Sequence, residues 1–385
     1  MMRSILSILV LASVTMLSCN KNEVEGNEDQ RVFYKPDTFL MGADLSYVNE
    51  ILDHGGSYID SGKVTDPYKI FSKYGTGAVR FRLFHTPAWT ADLYGGDKMY
   101  HDFEDVRLGI QRTKEEGMRV LLDFHYSDNW ADPGKQVPPE AWEGLDPETL
   151  GDSIYNYTYQ TLKKLDGQGL MPEYVQVGNE INPGFVLPHG DRWDNTAQFI
   201  SLINKAINAV RDAAAESSVD TKVLIHVAQP ENVNNWLNGL SREGLAEYDI
   251  IGLSYYYIWS SVSLNDVSEY IRELKNTYGK DVMVLETAYP WTLENADSYP
   301  NILDVDKLVP NYPATEAGQY KYLRKLTQEI IDGGGKGIFY WEPAWISSNA
   351  KTQWGTGSAF DCNTFFDFQG NILQGMDYMT FNYTF

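Results

Sequence analysis

Cysteine is scarce in this chain, with only Cys19 and Cys362 among its 385 residues. Two cysteines cannot build a framework of several disulfides, and no His or Cys spacing typical of a zinc site is present. A chain without these supports has to be stabilised by a large hydrophobic core. Its length allows this, because α/β barrels commonly run about 250 residues or more as one domain.

Basic residues are also in short supply. The chain has 31 Lys and Arg against 53 Asp and Glu, which gives a formal net charge of −22. An electrostatic field of that sign repels nucleic acids and anionic glycans at low salt. The composition therefore argues against nucleic-acid binding and suits a neutral partner or substrate.

The first residues carry one apolar run, from Ile5 to Leu17, preceded by the single cation Arg3. This layout is typical of a secretory signal peptide. The run is shorter than the ~20 apolar residues needed to span a bilayer, so a permanent membrane helix is not expected. We predict a signal peptide over residues 1–18.

The run ends in Met-Leu-Ser-Cys at 16–19, which resembles a bacterial lipobox. In that interpretation Cys19 is acylated, residues 19–33 form a polar tether, and residues 34–385 form the folded domain. The expected location is a bacterial membrane, on the periplasmic side or at the cell surface. The alternative is an ordinary signal peptide cut near Ser18, with Cys19 as an idle thiol.

Short apolar, β-branched or aromatic runs follow the tether at fairly regular intervals, and amphipathic helical patterns lie between several of them, as in 196–217 and 317–335. Eight such repeats of strand and helix predict a closed (β/α)8 TIM barrel of the α/β class. An open doubly wound sheet is less favoured, because no strand leads into a G-x-G-x-x-G turn. The eight predicted strands are 39–48, 78–84, 119–126, 173–180, 222–227, 250–257, 281–289 and 337–345.

Polar residues cluster near the ends of these strands, where barrel enzymes carry their chemistry. They are Asp44, Arg80, Arg82, Asp123, His125, Asn179, Glu180, His226, Tyr255, Glu286, Trp341 and Glu342. All ten tryptophans also lie at a strand's end or in the segment after it. Flat aromatic faces stack on sugar rings, although a tryptophan is equally at home in a core. The pattern indicates one polar, aromatic cavity.

Two glutamates, Glu180 and Glu286, end the fourth and seventh predicted strands. Glycosidic cleavage commonly uses two carboxyl groups, one protonated to assist the leaving oxygen and one ionised to attack the anomeric carbon. Taken singly, Glu180 has the alternative role of capping a turn, and Glu286 that of an ion-pair partner for Arg80. As a pair they predict a glycosidase.

Longer stretches make the pattern more specific. GADLSYV (42–48), DFHYSDNWADPGKQVPPEAW (123–142), DIIGLSYYYIW (249–259) and GIFYWEPAWI (337–346) stand beside VQVGNEIN and VLETAYP. Together they resemble glycoside hydrolase family 53, the endo-β-1,4-galactanases, over about residues 39 to 370. The segment LFHTP (83–87) departs from the family's W-V-N-P pattern, which leaves subsite detail near the second strand open.

The resemblance implies a retaining mechanism, with Glu180 as acid/base and Glu286 as nucleophile. It further implies that Arg80 keeps Glu286 ionised and that Tyr255 donates a hydrogen bond to it. Whether Arg80 or Arg82 contacts the nucleophile stays open, because both point to one side of the strand. The expected substrate-binding residues are Asp44, Arg80, His125, Trp130, Asn179, Tyr255 and Trp345.

A calcium site is the last expectation from the sequence. Loops after the seventh and eighth predicted strands offer oxygen ligands, which Ca²⁺ prefers, and bacterial members of the family join such loops through calcium. The candidate ligands are Asn295, Asp297, Asn301, Ser358 and Asp361. The alternative is ordinary polar loop chemistry. No cofactor is expected for the reaction itself.

Three functions fit these observations. The first is cleavage of β-1,4-galactan in the pectin side chains called type I arabinogalactan, at internal bonds, by a monomer. The second is a related barrel glycosidase on another β-1,4-glycan, such as a mannan or a glucan. The third is a non-catalytic glycan-binding lipoprotein, which would be expected to lack one of the two carboxylates.

Overall fold

The structure is a computed structural model that describes residues 31–303 and 308–385. The predicted signal peptide, Cys19 and most of the tether lie outside the described residues. The backbone N–H of Val32 donates to the carbonyl of Thr380 at 2.8 Å. Contact with the folded domain therefore begins slightly before the predicted boundary at residue 34.

Eight parallel strands close into a barrel, as predicted. The first strand, Leu40–Asp44, pairs with both the second, Ala78–Leu83, and the last, Gly337–Tyr340, which closes the ring (Gly42 opposite Ala78, Leu40 opposite Gly337). The strands are β1 Leu40–Asp44, β2 Ala78–Leu83, β3 Arg119–Phe124, β4 Tyr174–Val177, β5 Lys222–Ala228, β6 Ile250–Ser254, β7 Asp281–Glu286 and β8 Gly337–Tyr340. Seven of the eight are shorter than their predicted runs, because the polar residues at the end of the run leave the hydrogen-bonded ladder, whereas β5 extends one residue beyond its predicted run, to Ala228.

Helices cover the outside of the barrel, and the two amphipathic patterns correspond to α6 and α9. The N-terminus of α6 is capped by the Asn195 side chain and that of α9 by Thr315. After α9, Gly334 takes the left-handed conformation with φ 81°, which suits the predicted glycine-rich helix end. The helices are α1 Val48–Asp53, α2 Pro67–Lys73, α3 Ala88–Asp92, α4 Phe103–Glu115, α5 Pro147–Asp166, α6 Thr196–Ala215, α7 Pro230–Leu237, α8 Val267–Tyr278 and α9 Glu316–Asp332.

Several smaller elements lie outside the barrel strands and the helices that surround them. They are 3-10 turns at Glu140–Trp142, Asp361–Asn363 and Gln374–Thr380, with hairpins at Ile59–Asp60 with Lys63–Val64 and Lys351–Thr352 with Gly355–Thr356. Within the described ranges, no helix is both long and apolar enough to span a bilayer.

The core has two layers. Apolar residues of the strands pack outward against the helices, while a second set fills the lower half of the barrel, including Leu121, Leu224 and Phe339. Gly42 is needed here, because a Cβ at that position would lie 2.2 Å from the Phe339 ring. This packed floor leaves the upper half of the barrel, at the carboxyl ends of the strands, for polar side chains.

Candidate active site

The predicted strand-end residues converge on one cavity of about 570 Å³ at the carboxyl ends of the strands. Arg80, His125, Asn179, Glu180 and Glu286 all line it. Four strands, β2, β3, β4 and β7, thus contribute these residues to a single site, which confirms the shared polar cavity predicted from the sequence.

Glu180 and Glu286 face each other in this cavity. One carboxylate oxygen of each, together with a ring nitrogen of His226, lie within 4.8 Å of one another. Glu286 ends β7, whereas Glu180 follows β4 through a turn in which Gly178 and Glu180 have φ of 83° and 45°. A left-handed backbone conformation is uncommon for a glutamate, and at Glu180 it directs the side chain across the mouth of the barrel.

Of the two glutamates, Glu286 has the more polar surroundings. Arg80 Nη1 lies 2.9 Å from Oε1 of Glu286, and the Tyr256 hydroxyl donates to Oε2 at 3.0 Å. Burial raises the pKa of Glu286, and the Arg80 charge and the Tyr256 hydrogen bond oppose that rise. These two partners favour the ionised carboxylate, the form that attacks as a nucleophile.

Among the residues that the structure describes, no ion pair with Glu180 is found. The Ser254 hydroxyl donates to its Oε1 at 2.5 Å. Burial raises the pKa of Glu180 to about 8, and the negative charge of Glu286 adds to the rise. Glu180 is therefore the carboxyl whose surroundings favour the protonated form, and Glu286 is the one that the Arg80 cation stabilises as a carboxylate, which is the division of roles expected for an acid and a nucleophile.

The two arginines of β2 have different partners. Arg80 also bonds Asp44 at 3.0 Å and Asp123 at 2.8 Å. Arg82, on the same face of the strand, pairs instead with Glu342 at 2.5 Å. Its guanidinium lies 4.3 Å from the centre of the Tyr47 ring and 4.4 Å from that of Trp130. Arg80 is therefore the arginine that contacts Glu286, which resolves the question left open by the sequence.

The prediction for Tyr255 was wrong. Its hydroxyl donates to the Val262 carbonyl at 3.1 Å and does not reach Glu286. Side chains alternate along a strand, and Ile250 at the start of β6 points into the barrel. The inward positions are therefore Ser254 and Tyr256, so Tyr256 takes the role assigned to Tyr255.

The prediction for Asp44 as a substrate-binding residue was also wrong. Its side chain is fully buried, and it accepts hydrogen bonds from Arg80 and from Ser46. It is absent from the cavity lining found in the described part of the chain. Asp44 supports the arginine from the neighbouring strand, where it lies opposite Arg80 in the pairing of β1 with β2.

The other predicted substrate residues line the cavity. His125 accepts from the Ala131 N–H at 3.1 Å and lies 3.1 Å from Asp123, while Trp345 donates to the Gly357 carbonyl at 3.2 Å. Asn179 accepts from Arg80 and donates to the Ala131 carbonyl, both at 2.8 Å. Trp130 stands beside them. Their rings and amides are thus fixed before any ligand binds.

Half of the tryptophans behave as predicted. The cavity is lined by Trp130, Trp259, Trp341, Trp345 and Trp354. In contrast, Trp236 is 1% exposed and packs edge-on against Phe199 in the core. Position after a strand therefore indicated a place near the rim but did not separate cavity from core.

Several site residues escaped the sequence analysis. Tyr256 contacts Glu286, Ser254 contacts Glu180, and the fully buried Gln176 of β4 accepts a hydrogen bond from Arg80 Nε at 3.2 Å. A polar glutamine inside an otherwise apolar strand was the available signal for Gln176. Strict alternation from Ile250 would have indicated Ser254 and Tyr256.

The five candidate calcium ligands come together between the loops after β7 and β8. Asn301 Nδ2 donates to Asp361 Oδ1 at 2.7 Å and also contacts Asn295 Oδ1. The Ser358 N–H donates to Asp297 Oδ2 at 2.9 Å, and Ser347, which was not predicted, bridges both aspartates. The Ser358 hydroxyl itself donates to the Trp345 carbonyl.

A (β/α)8 barrel with two facing glutamates at strands four and seven defines a glycoside hydrolase by fold and site. The family model for glycosyl hydrolase family 53 matches residues 40–379, and the chain belongs to that family. It is 45% identical over 336 residues to the arabinogalactan endo-β-1,4-galactanase of Cellvibrio japonicus, covering 86% of each chain.

A second relative and a solved structure support the same family. The chain is 33% identical to the endo-β-1,4-galactanase of Bacillus subtilis, over 88% of this chain and 84% of the relative. Among solved structures, the family 53 catalytic domain of Ignisphaera aggregans superposes with a TM-score of 0.82 at 33% identity, covering 92% of this chain and 99% of that one. The family predicted from the sequence motifs is thereby confirmed.

Proposed function

We propose that this protein is a retaining, endo-acting glycoside hydrolase that cleaves β-1,4-galactan. The observation that carries the proposal is the pair of carboxylate oxygens, one from Glu180 and one from Glu286, within 4.8 Å of each other, with the Arg80 cation in contact with Glu286. Both groups can reach one anomeric centre and its leaving oxygen. A non-catalytic glycan-binding role leaves this arrangement unexplained.

The reaction runs in two steps. Glu286 attacks the anomeric carbon while Glu180 gives its proton to the departing glycosidic oxygen, so that one bond forms as the other breaks. The Glu286 charge is then consumed in the glycosyl ester, and the pKa of Glu180 falls. Glu180 next takes a proton from water, which attacks the same carbon, and Glu286 leaves as the carboxylate.

The spacing of the two carboxyl groups supports retention of configuration. Retaining enzymes hold their carboxyl groups roughly 5–5.5 Å apart, whereas inverting enzymes separate them by roughly 6.5–9.5 Å to fit a water molecule between them. One oxygen of Glu180 and one of Glu286 lie within 4.8 Å of each other, which favours direct attack by Glu286.

The substrate is assigned from three observations. Relatives at 45% and 33% identity are named endo-β-1,4-galactanases, which supports galactan as the polymer and internal bonds as the point of attack. The net charge of −22 favours a neutral glycan over an anionic one. The five cavity tryptophans supply flat faces for sugar rings.

Calcium is proposed as a structural ion at Asn295, Asp297, Asn301, Ser358 and Asp361. Carbonyl and carboxylate oxygens are the ligands that Ca²⁺ prefers. The Asn301 Oδ1 atom is buried and has no hydrogen-bond partner in the described ranges, which fits an oxygen meant for a cation. Such an ion would tie the loop after β7 to the loop after β8, and the chemistry itself needs no cofactor.

For location, we propose that residues 1–18 are removed and that lipid on Cys19 tethers a monomeric enzyme to a bacterial membrane. The support is the apolar run that ends in Met-Leu-Ser-Cys, followed by a polar segment. Expression of the full chain with Cys19→Ala tests the anchor. Release of the enzyme from the membrane fraction is expected, and equal retention would contradict the lipid.

Products from linear β-1,4-galactan, β-1,4-mannan and β-1,4-glucan test the function. A mixture of oligosaccharide lengths at early times, from galactan alone, is expected. Glu180→Ala and Glu286→Ala should each lose nearly all of this activity while keeping the melting temperature. Turnover of mannan or glucan instead of galactan, or full activity in either variant, would contradict the proposal.

A further inference from the structure

A buried chain of polar side chains joins Arg80 to Glu180, and the two-step reaction does not use it. Its members are Gln176, His226 and Ser254, on β4, β5 and β6, and each side chain is fully buried. Buried polar groups persist when every member has a partner, and each of these does. The question is which way the hydrogens point.

Arg80 fixes the first member. A guanidinium only donates, so the Gln176 atom 3.2 Å from Arg80 Nε has to be the amide oxygen. The Gln176 NH₂ group therefore faces His226 Nδ1 at 3.0 Å. The backbone N–H of Glu180 points at the same nitrogen from 3.4 Å. The Glu180 N–H can donate only to a nitrogen that carries no hydrogen, so this contact identifies Nδ1 as an acceptor.

One acceptor also lies near Nδ1, namely Asn179 Oδ1 at 3.0 Å. That oxygen already accepts from Arg80 at 2.8 Å, and Gln176 Nε2 is 3.1 Å away. Gln176 Nε2 also faces the Gly178 carbonyl at 3.1 Å, so its two hydrogens serve three acceptors, and the firm donor to Asn179 Oδ1 is Arg80. Burial, and next the charge of Arg80, lower the pKa of His226 well below its usual range, so the ring is neutral and carries one hydrogen.

That hydrogen is on Nε2, which lies 3.0 Å from Ser254 Oγ. Because Ser254 Oγ accepts from the ring, its own hydrogen is available for Glu180 Oε1 at 2.5 Å. The direction of donation therefore runs from Arg80 through Gln176, His226 and Ser254 to Glu180. Arg80 also contacts Glu286, so one guanidinium organises both carboxyl groups.

We propose that Gln176 and His226 make Ser254 an obligate donor to Oε1 of Glu180, so that the proton transferred to the leaving group is carried by Oε2. The three residues are positioning residues, since they act through Glu180 and do not line the cavity formed by the described residues. In the second step the same Ser254 hydrogen bond stabilises the Glu180 carboxylate that serves as base. This proposal rests on the proposed acid/base role of Glu180.

The charged groups that act on Glu180 are Glu286, Arg80 and Asp132, and the Ser254 hydrogen bond lowers its pKa against the effects of burial and Glu286. Removal of the hydroxyl should therefore raise the pKa of Glu180 further. In Ser254→Ala, the basic limb of the kcat/KM profile on galactan should move to higher pH. A purely structural role for Ser254 would lower the whole profile without moving this limb.

The decisive comparison uses two substrates on the full-length chain. For galactan, whose leaving oxygen needs a proton, kcat/KM of Ser254→Ala should fall about ten- to hundredfold, within the range of general-acid catalysis. For a 2,4-dinitrophenyl β-galactobioside, whose leaving group needs none, kcat/KM should stay within about twofold of wild type. Equal loss on both substrates, or loss on neither, would overturn the proposal.

Matched variants keep the test clear if one protein is unstable. His226→Gln can still place an N–H near Ser254 and should retain most galactan activity, whereas His226→Leu should behave like Ser254→Ala. Thr113→Val removes a fully buried hydroxyl from α4, far from the site, and serves as the control. Equal effects of His226→Gln and His226→Leu on galactan would contradict the donor chain.

Failure of the acid assignment is a separate result. Glu180→Ala, assayed on the same two substrates, should show a still larger dependence on the leaving group. If Glu180→Ala lacks that dependence, the acid/base role itself is wrong. If Glu180→Ala shows it while Ser254→Ala does not, only the positioning chain is wrong.

Discussion

Arg80 lies 2.9 Å from the carboxylate of Glu286 and is itself almost completely buried. Burial of a guanidinium is costly unless its donors are met, and here Asp44, Asp123, Gln176 and Asn179 accept the remaining hydrogen bonds. The charge of Glu286 is thereby part of the buried ion-pair network that also stabilises the fold. The Arg80 side chain therefore contributes both to catalysis and to stability.

The variant Arg80→Lys should lower both the catalytic rate and the stability of the fold. A lysine keeps the positive charge but cannot present the planar fork that reaches Glu286, Asp44 and Asp123 at once. We expect kcat on galactan to fall at least about a hundredfold, and stability to fall by roughly 1.5–3 kcal/mol for each charge-assisted hydrogen bond lost. Steady-state kinetics and urea unfolding measure the two, and wild-type values for both would show that the fork is dispensable.

Tyr256→Phe and Tyr255→Phe form a matched pair on neighbouring residues. Tyr256→Phe removes the hydrogen bond to Glu286 Oε2, whereas Tyr255→Phe removes only a bond to the Val262 carbonyl. Activity on galactan should fall about tenfold or more in the first and stay near wild type in the second. The reverse order would mean that β6 presents the other face to the cavity.

The pH dependence should reflect Glu180. Its pKa is raised to about 8, so the acid form dominates below that pH and disappears as pH rises through it. We therefore expect kcat/KM on galactan to decline above about pH 8. In Glu286→Gln the neighbouring charge is gone, and the pKa of Glu180, followed by ¹³C NMR, should be lower than in wild type. An unchanged pKa of Glu180 would show that the charge of Glu286 does not act on it.

Chelation tests the ion site. Treatment with a chelator should lower the melting temperature, and added Ca²⁺ should restore it, because an ion bound only by the folded state stabilises that state. Asp361→Asn should reduce this response, while Asp92→Asn, at an exposed position on α3, should leave it intact. A melting temperature indifferent to chelator would assign the cluster to ordinary loop packing.

Much of the fold was legible from the sequence because parallel barrel strands are buried on both faces and appear as apolar runs. All eight predicted strands exist, and the polar residue at the end of each marked the face that carries the chemistry. Glu180 and Glu286 could be paired in advance, since strands four and seven of a closed barrel face one another across its mouth.

The errors have physical causes. Tyr255 was assigned inward where the alternation of β6 places Tyr256, and the sequence could not separate Arg80 from Arg82 because both occupy the same face of β2. The route from Gln176 through His226 to Ser254 crosses three strands, so it exists only once the barrel has closed. Cys19 lies outside the described residues, and its lipidation stays a prediction.

Covalent trapping tests the central claim most directly. A 2-deoxy-2-fluoro-β-galactosyl fluoride slows both steps but loses fluoride readily, so the ester on the nucleophile should accumulate. Peptide mapping by mass spectrometry should then find one added 2-deoxy-2-fluorogalactosyl group, on Glu286, and none on the Glu286→Ala variant. A label on Glu180 or any other residue, or the absence of an adduct from an enzyme that hydrolyses galactan with inversion, would contradict the roles assigned to the pair.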